Sequence, residues 1–354
     1  MKYLRVFAVI VSCIVLEFFI ASCFGGLGGG QNASNNNQAS STIQTLGGSG
    51  GSSSSDDSSD NSSDNSEDNS EQDSWDSSVS KGTLITIKKA DNSAYAVIVG
   101  ENKYVSGLHL SQCVNDANDL KNSLTGSNFW SDSTVDQQND KEVTKQMIID
   151  AINNAKNYVN PGATFMFYFS GHGTKSGSTG YIVPFDGATS DGADLNYCIS
   201  EDLLKSLLAG FDSSVKKVCY FDSCYSGEFI NKLVRAKPND GKIKYMPAKG
   251  TTGSLTENFG KSLADLSNCV VVTACSKDQY CQESSYLKNS VFTYYLVEGL
   301  GASGSVIGPA DADSSLTISA EETYNYLKPK ALDYNPSQEA QILDNYDFDL
   351  IVKN

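Results

Sequence analysis

Apolar residues fall into three regimes along this chain. Residues 6–16 (VFAVIVSCIVL) form one apolar run, residues 24–82 carry very few apolar side chains, and from about residue 83 short apolar runs recur. AYAVIVG (94–100), ATFMFYFS (163–170), KKVCYFD (216–222) and NCVVVTAC (268–275) are β-prone and show no polar alternation. Runs of that kind predict strands buried on both faces. YIVPFD (181–186) reads as a strand or hairpin arm, and DFDLIV (347–352) as an edge strand.

The stretches between them carry helical spacing. Val114, Ala117, Leu120 and Leu124 share one face of a helix predicted over Ser111–Leu124, and a second runs from Val143 to Val159, stopped by Pro161. Ser200 can cap a helix through Leu208, with Glu201 and Asp202 in the favourable first turn and Gly210 beyond the end. Residues 291–300 are helical and stopped by Gly301, and Ser319 with Glu322 makes a capping box for a last helix near 320–328. Strands alternate with helices and both strand faces are apolar. The expected fold is therefore α/β, a three-layer α/β/α sandwich around a mostly parallel central sheet.

The first two regimes lie outside that domain. Lys2 and Arg5 precede the apolar run, which is too short for a comfortable membrane span and is followed by Glu17, so residues 1–22 read as an export signal. Ile20-Ala21-Ser22-Cys23 resembles a bacterial lipobox, which implies lipidation of Cys23 and a membrane-anchored lipoprotein in the periplasm or at the cell surface. Residues 23–82 are rich in Gly, Asn and Ser, and then in Asp and Glu, with no Lys or Arg between Gln31 and Ser80. Too little apolar surface is present to offset chain entropy, so this segment is expected to be a disordered tether, with residues 83–354 as the folded domain. The formal net charge of −16 argues against a nucleic-acid partner.

Two short motifs carry candidate chemistry. YFSGHG places His172 after one apolar run, and YFDSCYSG places Cys224 after another. A parallel α/β sheet gathers strand ends at one edge, so the two side chains are expected to meet there. A thiol becomes a useful nucleophile when an imidazole takes its proton, and the same imidazole can then protonate a leaving amine. The backbone N–H groups of Gly173 and Cys224 are the expected oxyanion donors. His109 is read as a surface or local structural residue. Cys219 and Cys269 are expected to be buried thiols, the remaining cysteine pairings stay open, and the Cys/His spacing fits no zinc site.

SGHG and DSCYSG, in this order and roughly 50 residues apart, resemble the metacaspase and caspase-like cysteine peptidases, as do CVNDAND (113–119) and TACSKDQYCQES with the helix that follows. The resemblance spans about residues 94–330. It implies a caspase-like fold, a Cys224–His172 dyad, and an acidic pocket formed by Cys113, Asp116, Ser170 and Asp222 that accepts Arg or Lys before the scissile bond. It departs at Tyr225, where many metacaspases have His. Substrates are then proteins or peptides with a basic residue at that position. The basic, Gly-rich stretch NKLVRAKPNDGKIKYMPAKGTTG (231–253) lies between the two halves and is a candidate for self-cleavage.

No cofactor is needed for this chemistry, although the resemblance suggests calcium activation, with Glu201 and Asp202 matching part of a metacaspase site. Separately, Asp311, Asp313, Ser315, Thr317 and Glu322 follow EF-hand spacing, with Leu316 at the turn position that favours Gly. The alternative reading is a non-catalytic caspase-fold binding or scaffold lipoprotein. The intact Cys/His pair and the full acidic pocket argue against it.

Overall fold

In the computed structural model the described residues are 79–354, apart from 177–178, 191, 226–262, 264–265, 276–280, 302–306 and 348; for Cys224 and Tyr225 only the backbone is described. The signal segment, Cys23, nearly all of the tether and the basic stretch 231–253 lie outside them. Among the described residues no helix is long and apolar enough to cross a membrane.

The chain enters on β1 (Gly82–Lys89) and β2 (Ala94–Glu101), followed by α1 (Cys113–Leu124), β3 (Ser133–Asn139) and α2 (Lys145–Lys156). A long β4 (Thr164–Ser176) folds back as β5 (Thr179–Ile182). Two minor strands follow, β6 (Ala188–Thr189) and β7 (Gly192–Ala193), then β8 (Ile199–Ser200), α3 (Glu201–Ala209) and β9 (Lys216–Tyr225). The last part holds β10 (Cys269–Thr273), the hairpin of β11 (Glu283–Ser284) and β12 (Asn289–Ser290), and α4 (Val291–Leu300). It closes with β13 (Ile318–Ser319), α5 (Ala320–Tyr334), β14 (Gln341–Asp344) and β15 (Ile351–Lys353).

The main sheet runs in the order β14-β10-β9-β4-β2-β1-β3. Its centre, β10-β9-β4-β2, is parallel, and β1, β3 and β14 are antiparallel additions at the edges. This is the expected mixed, mostly parallel α/β sheet. Both faces are buried, which is why the apolar runs show no alternation. Ile98, Met166, Tyr168, Val218, Tyr220 and Val270 meet α1, α4 and α5 on one face. Val97, Val99, Phe165, Phe167, Phe169 and Phe221 meet α2 and α3 on the other. Each Phe so buried contributes roughly 2–3 kcal/mol.

Several boundaries differ from the sequence pattern. The Gly-flanked motifs were expected to leave the strands, but β4 continues through SGHGTKS and β9 through DSCY. Each finds backbone partners in the other, and β5 folds back on β4. The polar β3 is partnered by β1, and neither was legible as a strand. Residues 351–353 pair with β13 in a separate ribbon, while β14 takes the sheet edge expected of 347–352. The last helix passes 328 and carries Pro329 inside it, to end at Tyr334; its Ser319–Glu322 capping box is present. Ser200 caps α3 by accepting from the Leu203 N–H, as expected.

Gly100 marks where α1 presses on the sheet. A Cβ there would run into the Cys113 carbonyl at the start of α1. Gly100→Ala is therefore expected to lower stability by about 1–3 kcal/mol, read as a drop in the thermal midpoint. An unchanged midpoint would show that α1 can retreat at no cost.

Candidate active site

His172 and Cys224 are register partners across the parallel β4–β9 pair. The ladder that welds the sheet centre thus brings the predicted base and nucleophile side by side. Gly173 follows His172 on β4, opposite Tyr225 on one side and Ile182 on the other.

The His172 ring is buried and held from two sides. Its Nε2 lies 2.8 Å from the Leu108 carbonyl oxygen. A carbonyl can only accept, so Nε2 carries the proton and Nδ1 is the basic nitrogen. The Tyr104 ring leans on the imidazole at 4.6 Å between centroids, and its hydroxyl oxygen accepts from the His172 backbone N–H at 2.8 Å. Gly171 suits this arrangement, because a Cβ there would lie 2.7 Å from the Tyr104 hydroxyl. Burial pushes the His172 pKa down to about 4, offset in part by Leu108 and reinforced by nearby His109, so the ring is neutral at pH 7.

Cys113, Asp116, Ser170 and Asp222 come together as expected, and all four are buried. Asp116 accepts from the Ser170 hydroxyl at 2.8 Å, from the Ser290 N–H at 2.8 Å and from the Ser290 hydroxyl at 2.6 Å. Asp222 accepts from the Thr293 N–H at 3.1 Å and from its hydroxyl at 2.6 Å. Ser290 and Thr293 open α4, so both carboxylates face one helix N-terminus, where N–H groups and the dipole favour negative charge. That explains why Ser290, the residue preceding α4, makes no side-chain cap bond to its own helix. Its hydroxyl is committed to Asp116.

Burial still dominates. Desolvation raises Asp116 well above the usual carboxylate range, with the Asp222 charge as the next cause, and desolvation pushes Asp222 up to about 7. Among the described residues neither carboxylate has a cationic partner. Cys113 is raised well above the ordinary thiol range, first by burial and then by Glu283 and Asp116, so it lines the pocket as a neutral thiol.

Several site residues gave no signal in the sequence. Glu283 adds a third carboxylate to the cleft, accepting from the N–H groups of Gln112 at 2.6 Å and Ser111 at 2.9 Å. Tyr104, the Leu108 carbonyl, Ser290 and Thr293 were likewise not singled out. Cys275 and Cys281 form a disulfide, a pairing the spacing had left open, and Cys281 borders the cleft beside Gly171 and His172. Cys219 and Cys269 are buried and free, as expected. Among the described residues the cleft measures about 20 Å³, room for a water molecule.

The calcium candidates divide. Carboxylate oxygens of Asp311, Asp313 and Glu322 converge within 4.8 Å of one another, an all-oxygen set that suits a hard cation. Leu316 takes the left-handed conformation, φ 66°, at the position that favours Gly. Glu201 and Asp202 stand in the first turn of α3 and join no such group among the described residues.

The family model for the caspase domain matches residues 93–322. The chain belongs to the caspase-domain family of cysteine peptidases. Metacaspase-1 of Lodderomyces elongisporus is 24 % identical over 280 residues, covering 69 % of this chain and 58 % of that protein. Metacaspase-1 of Meyerozyma guilliermondii is 24 % identical over 267 residues, covering 69 % of this chain and 62 % of that protein. The chain thus spans less than two thirds of the length of these relatives. The matched caspase domain contains the β4–β9 pair, α1 and α4, and hence every residue of the site described above.

The pocket carboxylates yield a stability test. A carboxyl whose pKa is raised on folding favours the folded state at low pH and opposes it as pH rises through the folded pKa. For Asp222 that window runs from 3.8, its ordinary value, to about 7. Asp222→Asn keeps an oxygen acceptor for Thr293 without the charge, so at pH 8 it should raise the thermal midpoint by a few degrees, roughly 1 kcal/mol or more. The gain should fade toward pH 4. A lower midpoint at pH 8 would mean that the α4 terminus outweighs desolvation.

Proposed function

We propose that this protein is a cysteine endopeptidase that cleaves after Arg or Lys. The observation that carries the reading is the His172–Cys224 register pair set beside two buried carboxylates without a cationic partner among the described residues.

The Cys224 thiol gives its proton to Nδ1 of His172, whose Nε2–H is held by Leu108. The thiolate attacks the scissile carbonyl, and the backbone N–H groups of Gly173 and Cys224 stabilise the oxyanion. His172 then protonates the leaving amine, and water hydrolyses the acyl-enzyme by the same route in reverse. A depressed His172 pKa keeps the base neutral in the resting enzyme, and the adjacent thiolate favours the imidazolium once the proton has moved.

Asp116 and Asp222 supply the pocket for the residue before the scissile bond. A guanidinium or ammonium between them favours the ionised form of both and makes a charge-assisted set, a gain no neutral side chain offers. An Asp at that position would add a fourth carboxylate beside Asp116, Asp222 and Glu283. The export signal and the Cys23 lipobox support a membrane-tethered location, and the basic stretch 231–253 supports self-cleavage.

Fluorogenic peptides ending in Arg, Lys or Asp test the reading, with and without calcium and a thiol reductant, beside Cys224→Ala. Turnover after Arg and Lys, abolished in the variant, is expected. Its kcat/KM should fall as pH drops below about 7, where Asp222 takes up a proton, and Asp222→Asn should flatten that limb. Cleavage after Asp alone would overturn the specificity. Self-cleavage predicts two fragments from the wild type, joined at Lys232, Arg235, Lys237, Lys242, Lys244 or Lys249, and one intact band from Cys224→Ala. Identical intact bands would remove it.

A further inference from the structure

The segment between β2 and α1 is built as a cradle for His172. Its ends are tied by the Leu110 N–H donating to the Asn102 carbonyl at 2.7 Å. Within it, the Gly107 N–H donates to the Tyr104 carbonyl at 3.1 Å, and the His109 N–H to the Gly107 carbonyl at 3.0 Å. Gly107 takes φ 74°, a left-handed turn that swings the chain back on itself. Two further ties come from side chains: the Leu108 N–H donates to the Ser106 hydroxyl at 3.3 Å, and the Tyr104 N–H donates to Nδ1 of His109 at 3.1 Å.

The two groups that hold the catalytic imidazole both sit in this loop. Tyr104 supplies the ring and hydroxyl against His172, and Leu108 supplies the carbonyl on Nε2. The His109 ring spans from its own backbone, next to Leu108, back to the backbone of Tyr104, and with the bonds above it sets the separation of the two supports. We propose that His109 is a positioning residue for His172, acting through the Tyr104 backbone and the Leu108 carbonyl. Its role in turnover rests on the peptidase reading above. Its role in holding the ring does not.

The chemistry asks for one specific atom. Nδ1 must accept, so His109 carries its proton on Nε2. Asn places its Oδ1 the same number of bonds from the backbone as Nδ1 and can accept from Tyr104. The Gln oxygen lies one bond farther out and cannot take the same place. Ala offers no acceptor.

The chain contains two histidines, so labelling the full-length protein with 15N-histidine marks only two imidazoles. In the wild type, the Nε2–H proton of His172, held by Leu108, should exchange slowly with water. His109→Ala and His109→Gln should speed that exchange and broaden the ring signals, and His109→Asn should restore them. In turnover, Ala and Gln should lower kcat by about 10- to 100-fold with KM within about twofold, because the base is misplaced while the pocket is intact. Asn should recover most of the loss.

If His109→Ala does not fold, the contrast of Asn with Gln carries the test. Equal ring signals and equal kcat in Asn, Gln and wild type would overturn the proposal. So would equal losses in Asn and Gln. Should the wild type cleave no peptide, the ring signals still decide the proposal, and the peptidase reading fails by itself. Should peptides be cleaved while the His172 ring ignores His109→Gln, the positioning role falls and the peptidase reading stands.

Discussion

Two carboxylates that share one helix N-terminus are the constraint around which this site is organised. Asp116 comes from α1 and Asp222 from β9, and both spend their oxygens on the opening of α4. Both side chains are buried there, so two ionised carboxylates would repel in a medium that screens poorly. The N–H groups and hydroxyls of Ser290 and Thr293 partly compensate. The residual cost appears as pKa values displaced upward, Asp222 to about 7.

The proposed catalytic pair is arranged by a different device. The pairing of β4 with β9 carries both motifs past the ordinary ends of their strands, so register alone places His172 opposite Cys224. Backbone registry is stiff, because a one-residue slip would turn every side chain of β4 to the other face and break the double-sided core. Phe165, Phe167 and Phe169 on one face and Met166 and Tyr168 on the other lock it in place. The aromatic core is thus a geometric reference for the proposed His172–Cys224 pair as well as a source of stability.

Much of this was legible in the chain, for identifiable reasons. A strand covered on both faces shows as an unbroken apolar run, so the four central strands stood out. Caps announce themselves by spacing, so Ser200 and Ser319 were readable. The failures are equally physical. β3 is exposed and polar, with nothing but its pairing to β1 to make it a strand. The Gly-flanked end of β4 and the Asp-Ser-Cys end of β9 read as turns because local propensity cannot register a partner strand. Glu283 reaches the cleft from a segment 170 or more positions from the residues it holds, and no local pattern reports such a contact. Leu108 contributes a backbone carbonyl, which its side chain does not advertise.

The order of these elements along the chain has one more consequence. Asp116, His172 and Asp222 precede residues 226–262, while Ser290 and Thr293, which hold the two carboxylates, follow them. The two sides are joined by the β9–β10 ladder and by the packing of α1 against α4. In terms of ownership the site is already divided between two polypeptides that happen to be one. Opening the chain within 226–262 would leave the described pocket residues shared between two fragments. Neither fragment alone would carry both the carboxylates and the hydroxyls that hold them, so the sheet ladder and the helix packing would have to keep the pocket whole.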